Sequence, residues 1–367
     1  MNVTRLHVTN FRNISEIELY PDKGINIIFG ENAQGKTNLL ESIWLFSGFR
    51  SFRGSKEHDL IKFGEDYLRN DIDFYGNSRE QNSKLIISQQ QKKILLNSVP
   101  LTAASKLIGN FNCVVFSPAY LSLVKGNPSE RRKFIDSAIC QIKPSYAKVI
   151  TDYNKILSQR NQFLKDLKFN NSGYEFLEIW NEKLSEKSAV MINERIKYME
   201  SLSVSSADIY SGLSGEKEQL SLEYKMRVSS NRYEKINESI TPSVISQLLK
   251  QSENGDIMYG STNIGAHHDE IDIKINNISV KTFGSQGQQR SAALSLKLGE
   301  AQILKSITGE VPVALLDDVM SELDVNRQDY ILNHIKDWQV FITCCEPSTV
   351  LRLCDGKTFE IKDGGLK

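Results

Sequence analysis

Hydrophobic and polar positions along the chain switch rhythm three times. From Met1 to about Tyr120 the apolar residues come in short runs or alternate with polar ones: "ISEIELY" alternates, "INIIF" is a compact apolar run, and "KLIISQQQKKILLNSVP" places a polar turn between two strand-like halves. Past the turn at Lys125–Pro128 the spacing lengthens. Tyr146, Val149, Ile150, Tyr153, Ile156, Leu157, Phe163, Leu164 and Leu167 form one stripe of helical period, and after the break "NNSG" Phe176, Ile179, Trp180, Leu184, Met191 and Met199 form a second. Thr241 and Pro242 supply an N-cap and a first-turn proline for a third helix through Leu249. Alternation returns at "EIDIKINNISV", where Ile271, Ile273, Ile275, Ile278 and Val280 flank Asn276–Asn277, a hairpin signal. The remaining residues alternate helix and strand.

This pattern predicts an α/β chain: strands around a loop and helix up to about Tyr120, a helical middle, and helices alternating with strands in the last third. The apolar stripes break too soon for a sustained heptad rod.

Composition adds little. A 40% apolar, 25% charged chain of 367 residues is ordinary for a folded protein of two or three domains. With 45 basic and 45 acidic residues the net charge is zero, so affinity for nucleic acid would require local clusters or an oligomer that pools basic surface. Five cysteines without a CxxC pair argue against a disulfide framework and against a zinc ribbon. No stretch has the apolar core of a signal peptide or the length of a membrane span, and the cytoplasm is the expected compartment.

The chemistry concentrates in "GENAQGKTN" (Gly30, Glu31, Asn32, Ala33, Gln34, Gly35, Lys36, Thr37, Asn38), which follows an apolar strand and opens a helix. That spacing fits a phosphate loop: backbone N–H groups wrap a phosphate, Lys36 reaches the β- and γ-phosphates of a nucleotide such as ATP, and Thr37 offers its hydroxyl to Mg²⁺. Downstream, "VALLDD" ends a buried strand with Asp317, placed to hold Mg²⁺ with Thr37, and Asp318, placed to orient or deprotonate an attacking water. Between them, Ser285 caps a long amphipathic helix, and the N–H groups of Gly287 and Gln288 are expected to be free to bind an anion. With no lysine for a second phosphate loop, this helix tip reads as completing a site in another copy of the chain.

In order, the phosphate loop, Ser285-x-Gly287-Gln288, Asp317–Asp318 and Ser321-x-Leu323-Asp324 resemble the ATP-binding-cassette (ABC) ATPases. Within them, "FRNISEIEL", "GENAQGKTNLLESIWLFSGFRSFR", "LVKGNPSERRKFID", "GSQGQQRSAALSLKL" and "LLDDVMSELD" look like the RecF family of DNA repair and recombination mediators, over nearly the whole chain. The resemblance implies an α/β head like those of Rad50 and the chromosome-structuring ATPases, with a parallel core sheet and an antiparallel β-subdomain over residues 1–122 and 256–367 and a compact helical lobe inserted at residues 123–255. It implies a homodimer formed with ATP and Mg²⁺, and contact of Ser285 and Gly287 of one copy with the γ-phosphate on Lys36 of the other. It implies that Arg12 and Asn13 border the nucleotide and that Asp324 belongs to the cofactor site. It further implies DNA at gap junctions, RecR and indirectly RecO and RecA as partners, and nucleoid association. Asp318 stands where transporter ATPases carry Glu, which points to slow turnover, and Cys344 stands where they carry a switch histidine.

The local basic clusters Arg50–Arg53 and Lys125, Arg131, Arg132, Lys133 are candidate DNA contacts. "GAHHDE" offers His267 and His268 beside two acids, but adjacent residues on a strand would face opposite ways, which disfavours a metal site. Two other classes compete with the leading reading. A transporter ATPase subunit is disfavoured by the helical insertion and the missing histidine. An ATP-dependent nuclease of the overcoming-lysogenisation type would have to use the carboxylate pair Asp71 and Asp73.

Overall fold

The computed structural model describes residues 1–48, 51–169 and 173–367. The chain divides into two compact units, Met1–Tyr120 with Glu300–Lys367, and Leu121–Gly299.

Among the described residues the first unit holds two six-stranded sheets. One runs in the order Gly365–Leu366, Lys357–Lys362, Ile25–Phe29, Val340–Cys344, Val313–Leu316, Cys113–Phe116, parallel at every pairing but the first. Four of its strands, Ile25–Phe29, Val340–Cys344, Val313–Leu316 and Cys113–Phe116, are near-continuous apolar runs with largely buried side chains, the composition that a parallel sheet requires. The other is antiparallel, in the order Ile14–Leu19, Asn2–Phe11, Tyr67–Gly76, Arg79–Ser88, Lys92–Leu96, Val99–Leu101. Its hairpins turn on Asn77–Ser78 and Asn97–Ser98, each pair at positive φ, the geometry of two-residue turns that match strand twist. A single apolar core joins both sheets to the helix Lys36–Trp44, through Leu6, Val8, Phe11, Leu39, Ile43, Phe74, Leu315 and Phe341.

The second unit contains the helices Tyr146–Phe169, Leu177–Ser214 and Pro242–Tyr259, where the apolar spacing and the Thr241–Pro242 cap predict them, and Pro128–Ile142, which that spacing does not predict. It also contains a four-stranded sheet in the order Arg232–Lys235, Leu220–Ser229, Glu270–Ile275, Ile278–Ser279. The hairpin turn falls on Asn276 and Asn277, both at positive φ, but Val280 opens a helical turn, Val280–Phe283, instead of extending the strand. Because Glu270–Ile275 pairs along its whole length with Leu220–Ser229, residues 256–299 pack with the helices, although their strand-like texture groups them with the head in sequence.

Besides its apolar packing, this unit buries matched ion pairs. Arg160 and Asp256 are both wholly buried and paired at 2.8 Å through Nη1, which also donates to Thr262, while Nε donates to Asn181. Arg195 is bidentate to Asp136 at 2.8 Å and donates to Ala266 O. Removing one partner strands a charge in the interior, which costs more than the pair itself contributes. Asp256→Ala is therefore expected to destabilise the second unit by about 3–5 kcal/mol in denaturant titration; a loss under about 1 kcal/mol would show that the pair is solvated in solution.

Candidate nucleotide-binding site

The loop between Ile25–Phe29 and Lys36–Trp44 is built so tightly that only certain residues fit. Gly30 has φ +150°, and a Cβ there would stand 2.3 Å from Ile361 O. Gly35, the helix N-cap at φ +114°, would place a Cβ 2.8 Å from Asn13 Oδ1. Lys36 is buried, and its Nζ donates to Gly30 O at 2.7 Å and Glu31 O at 2.9 Å, inside the loop's own curve.

Three segments meet on one carboxylate. Thr37 Oγ1 donates to Asp317 Oδ1 at 2.7 Å, and Thr343 Oγ1, from the next strand, donates to the same oxygen at 3.0 Å. Thr343 Oγ1 also accepts the N–H of Asp318 at 2.9 Å, which fixes Asp318 at φ +52°. Burial raises the Asp317 carboxyl above the usual range, while the two hydroxyls and the positive charge of Arg53 pull it back down. Thr343 was not singled out from sequence; its only signal was a polar β-branched residue at the end of the apolar run "VFIT".

The cleft beside this junction has a volume of about 540 Å³ and is lined by Arg12, Asn13, Asn32, Ala33, Gly35, Lys36, Thr37, Asn38, Arg53 and Asp318. Glu41, fully buried, organises one wall: it binds Arg12 through two bonds (2.5 and 2.9 Å) and accepts from Ser51, and Arg12 also reaches Ser55 at 2.8 Å. Asn38 donates to Asn13 Oδ1 at 2.7 Å and accepts from Arg53 at 2.8 Å. Arg53 thus faces this cleft, away from the role of a separate DNA cluster in which the sequence placed it. Arg50, its expected companion, lies outside the described residues. Gln34 points elsewhere, accepting the N–H of Asp363 at 2.5 Å, and Glu31 is exposed. Cys344 is buried, its thiol pushed up to about 11 by desolvation; the thiol that approaches Lys36 (3.9 Å) and Asn32 (3.3 Å) belongs to Cys345.

Ser285 and Gln288 lie in the second unit and form a reciprocal cap: Gln288 N–H donates to Ser285 Oγ at 3.2 Å, and Ser285 N–H donates to Gln288 Oε1 at 2.8 Å. The Gln288 N–H is therefore occupied, contrary to expectation, because the capping side chain takes the bond itself. Asp324 caps the helix Val325–Ile335, accepting the N–H of Arg327 at 3.0 Å and pairing with its guanidinium. It is not among the residues lining the cleft.

The remaining candidates are mostly structural. Arg131 is 4% exposed and spent on Glu270, in two 2.8 Å bonds, and on the carbonyls of Leu123 and Gly126, so its charge is internal. Arg132 is half-buried and donates to Asp269 O at 2.6 Å. Lys125 and Lys133 are exposed. Asp71 is held by Arg69 and Lys84, and Asp73 by Arg5 and Asn82. His267 and His268 are not on a strand: they occupy a turn with ring centres 4.2 Å apart, and both Nε2 atoms meet Thr262 O. Their Nδ1 atoms face Tyr153 Oη and Arg227 respectively. Every ring nitrogen is used, and no group of three or more potential metal ligands occurs among the described residues.

Residues 2–358 match the family model of the RecF/RecN/SMC N-terminal domain. The chain is 40% identical to the DNA replication and repair protein RecF of Clostridium novyi over 94% of its own length and 92% of that protein. It is 36% identical to the RecF of Lachnospira eligens over 99% and 98%. A solved structure of the recombination mediator protein RecF with ATP, from work on the RecFOR pathway, covers 100% of this chain and 96% of its own at a TM-score of 0.91 and 38% identity.

The chain belongs to the RecF family.

As a RecF-family member it is a DNA replication and repair protein with an ABC-type ATPase head. A Pyrococcus furiosus Smc head, at TM-score 0.56 and 17% identity, shares the fold. No helix is long and apolar enough to cross a membrane among the described residues.

In this RecF-family chain the turn at residues 265–269 carries a signed pH response. Burial lowers His267 to about 3, so its contribution to stability is present above pH 6.5 and lost as pH falls toward 3. Burial raises Asp269 to about 6, so its contribution is present below the ordinary carboxylate value and lost as pH rises through 6. Between pH 4 and 6 the two slopes oppose. Relative to the parent chain, Asp269→Asn should make stability rise more steeply with pH across that window, and His267→Gln should make it rise less steeply. Parallel pH–stability curves for all three proteins would refute the assignment.

Proposed function

We propose that this chain is an ATP-dependent DNA-binding protein of recombinational repair and replication restart. ATP drives two copies together around DNA at gap junctions, hydrolysis releases them, and the dimer works with RecR and RecO in loading RecA. The observation that carries the reading is the convergence of Lys36, Thr37 and Asp318 on one cleft, with Asp317 bonded to Thr37. The RecF solved with ATP supports ATP as the ligand.

In this mechanism the Lys36 ammonium exchanges its two loop carbonyls for β- and γ-phosphate oxygens, and the loop N–H groups close around the β-phosphate. Thr37 Oγ1 and Asp317 Oδ1 are hard oxygen donors 2.7 Å apart in the cleft region, a pair that fits Mg²⁺. Bound there, the ion would supply charge neutralisation of the triphosphate. Asp318 orients and deprotonates water; being one methylene shorter than Glu, it reaches less far, which fits a slow switch. Arg53, half-exposed, bonded to Asn38 at 2.8 Å and only loosely paired with Glu41 at 4.0 Å, is available to the terminal phosphate. Arg12 and Asn13 form the wall, and Lys125 and Lys133 remain as exposed cations for DNA.

From the partner copy, the Ser285 hydroxyl and the Gly287 N–H cap the γ-phosphate, while Gln288 shapes the tip. Turning a 1:99 equilibrium into 99:1 requires about 5.5 kcal/mol. Shared by two sites, that is about 3 kcal/mol each, within reach of one or two hydrogen bonds to a charged phosphate.

Sedimentation in ATP against ADP, with and without gapped duplex, tests this. The parent chain should dimerise in ATP, and Lys36→Met should remain monomeric. Ser285→Arg should keep nucleotide binding yet fail to dimerise, because the side chain fills the opposed γ-phosphate pocket. A parent chain that stays monomeric with a non-hydrolysable analogue and DNA would end the proposal.

A further inference from the structure

The proposed γ-phosphate sensor is not held by its own helix alone. Gln288 Nε2 donates to Glu218 Oε1 at 2.7 Å, and the other oxygen of Glu218 accepts from the buried Tyr210 hydroxyl at 2.6 Å. Tyr210 lies in the last turn of the 38-residue helix Leu177–Ser214. That helix ends through two left-handed residues, Gly215 and Glu216, with Glu216 N–H returning to Ser211 O at 2.9 Å, and this reversal carries Glu218 back against Tyr210. On its other side the loop is pinned by a reciprocal pair: Gln219 N–H donates to Asn276 Oδ1 and Asn276 N–H to Gln219 O, both at 2.9 Å. A carboxylate fixed from both sides thus fixes an amide in turn. With its NH₂ held by Glu218, Gln288 can only present its oxygen to the Ser285 N–H, and the tip adopts one conformation.

We propose that Glu218 is a positioning residue for the Ser285–Gln288 tip. It joins the long helix, through Tyr210, to the groups that meet the partner's γ-phosphate, so that dimerisation in ATP depends on a residue that touches no nucleotide. This inference rests on the dimer reading above. Without Glu218 the Gln288 side chain is free to rotate, the reciprocal cap loosens, and Ser285 must be ordered when the γ-phosphate arrives. The loss falls on association of the two copies and leaves nucleotide capture by the phosphate loop unchanged, because the first unit supplies that site alone.

Two measurements on the full chain separate these effects: binding of a fluorescent ADP analogue to the monomer, and the dimer dissociation constant by sedimentation with a non-hydrolysable ATP analogue. Glu218→Ala should weaken the dimer about tenfold or more, the size of a lost hydrogen bond to a charged group, with ADP affinity unaltered. Tyr210→Phe, which leaves the carboxylate in place but releases one oxygen, should weaken it less. Should the alanine variant fail to fold, Glu218→Gln serves in its place, since it keeps the shape and removes the charge. Dimerisation equal to the parent in the folded variants would overturn the proposal, as would an equal loss of ADP affinity, which would mark a general structural defect. If the parent chain itself does not dimerise, the functional reading fails first.

Discussion

One oxygen of Asp317 accepts two hydroxyls, from Thr37 and Thr343, and the arrangement of the first unit follows from the need to bring those groups together. They lie 280 and 26 residues from Asp317 along the chain, so only a sheet that sets Ile25–Phe29, Val340–Cys344 and Val313–Leu316 side by side can assemble them. The register does so: Leu316 pairs with Ile342 and Ile342 with Ile27, so all three strands end at the same edge. Ligand sites of parallel sheets form at that edge, because the loops beyond the strand ends are free to vary while the strands stay buried. Burying Asp317 is unfavourable, which its raised pKa expresses, and the two hydroxyls offset the cost. Asp318 bears a second cost, a left-handed backbone that aspartate tolerates better than most residues, held by the N–H bond to Thr343.

The two units spend their polar groups differently. In the first, a set of polar side chains lines the cleft where a ligand would sit, and Glu41 behind it keeps Arg12 and the Ser51–Ser55 segment in place. In the second, arginines turn inward: Arg131, Arg160 and Arg195 are each less than 5% exposed and each matched to a carboxylate. A basic-looking motif can therefore offer less surface charge than it has cations: of Lys125, Arg131, Arg132 and Lys133, only the two lysines are exposed.

That difference also decides what was legible in the sequence. The loop from Gly30 to Asn38, the strand ending in Asp317 and the helical stripes of residues 146–199 were readable, because each rests on spacing within one short segment. Arg131 read as a DNA contact because a run of cations says nothing about a partner 139 residues away. Arg53 read the same way, since its place in the cleft depends on the fold of residues 51–55 against Asn38. The domain limit near residue 256 failed to show the pairing of Glu270–Ile275 with Leu220–Ser229, for which periodicity carries no partner information. His267 and His268 were judged as strand neighbours, whereas Gly265 at φ +132° makes a turn that sets their rings together.

Buried ion pairs are seldom the most stabilising choice; apolar residues of equal volume often do as well or better. Their advantage is specificity, since a guanidinium with fixed bond directions tolerates one arrangement where leucine tolerates several. The second unit needs that property more than it needs stability. Its proposed task is to present Ser285 and Gly287 to a phosphate held by another molecule, and such contacts lose their value when misplaced by a fraction of an ångström. Arg195 ties Asp136 to Ala266 O, Arg160 ties Asn181 to Asp256 and Thr262, and Glu218 ties Tyr210 to Gln288. Each bond set joins elements that an apolar core would leave free to slide. In the proposed dimer, such a polar interior is the physical means by which the second unit would hold the Ser285–Gln288 tip ready for a phosphate bound to the other copy.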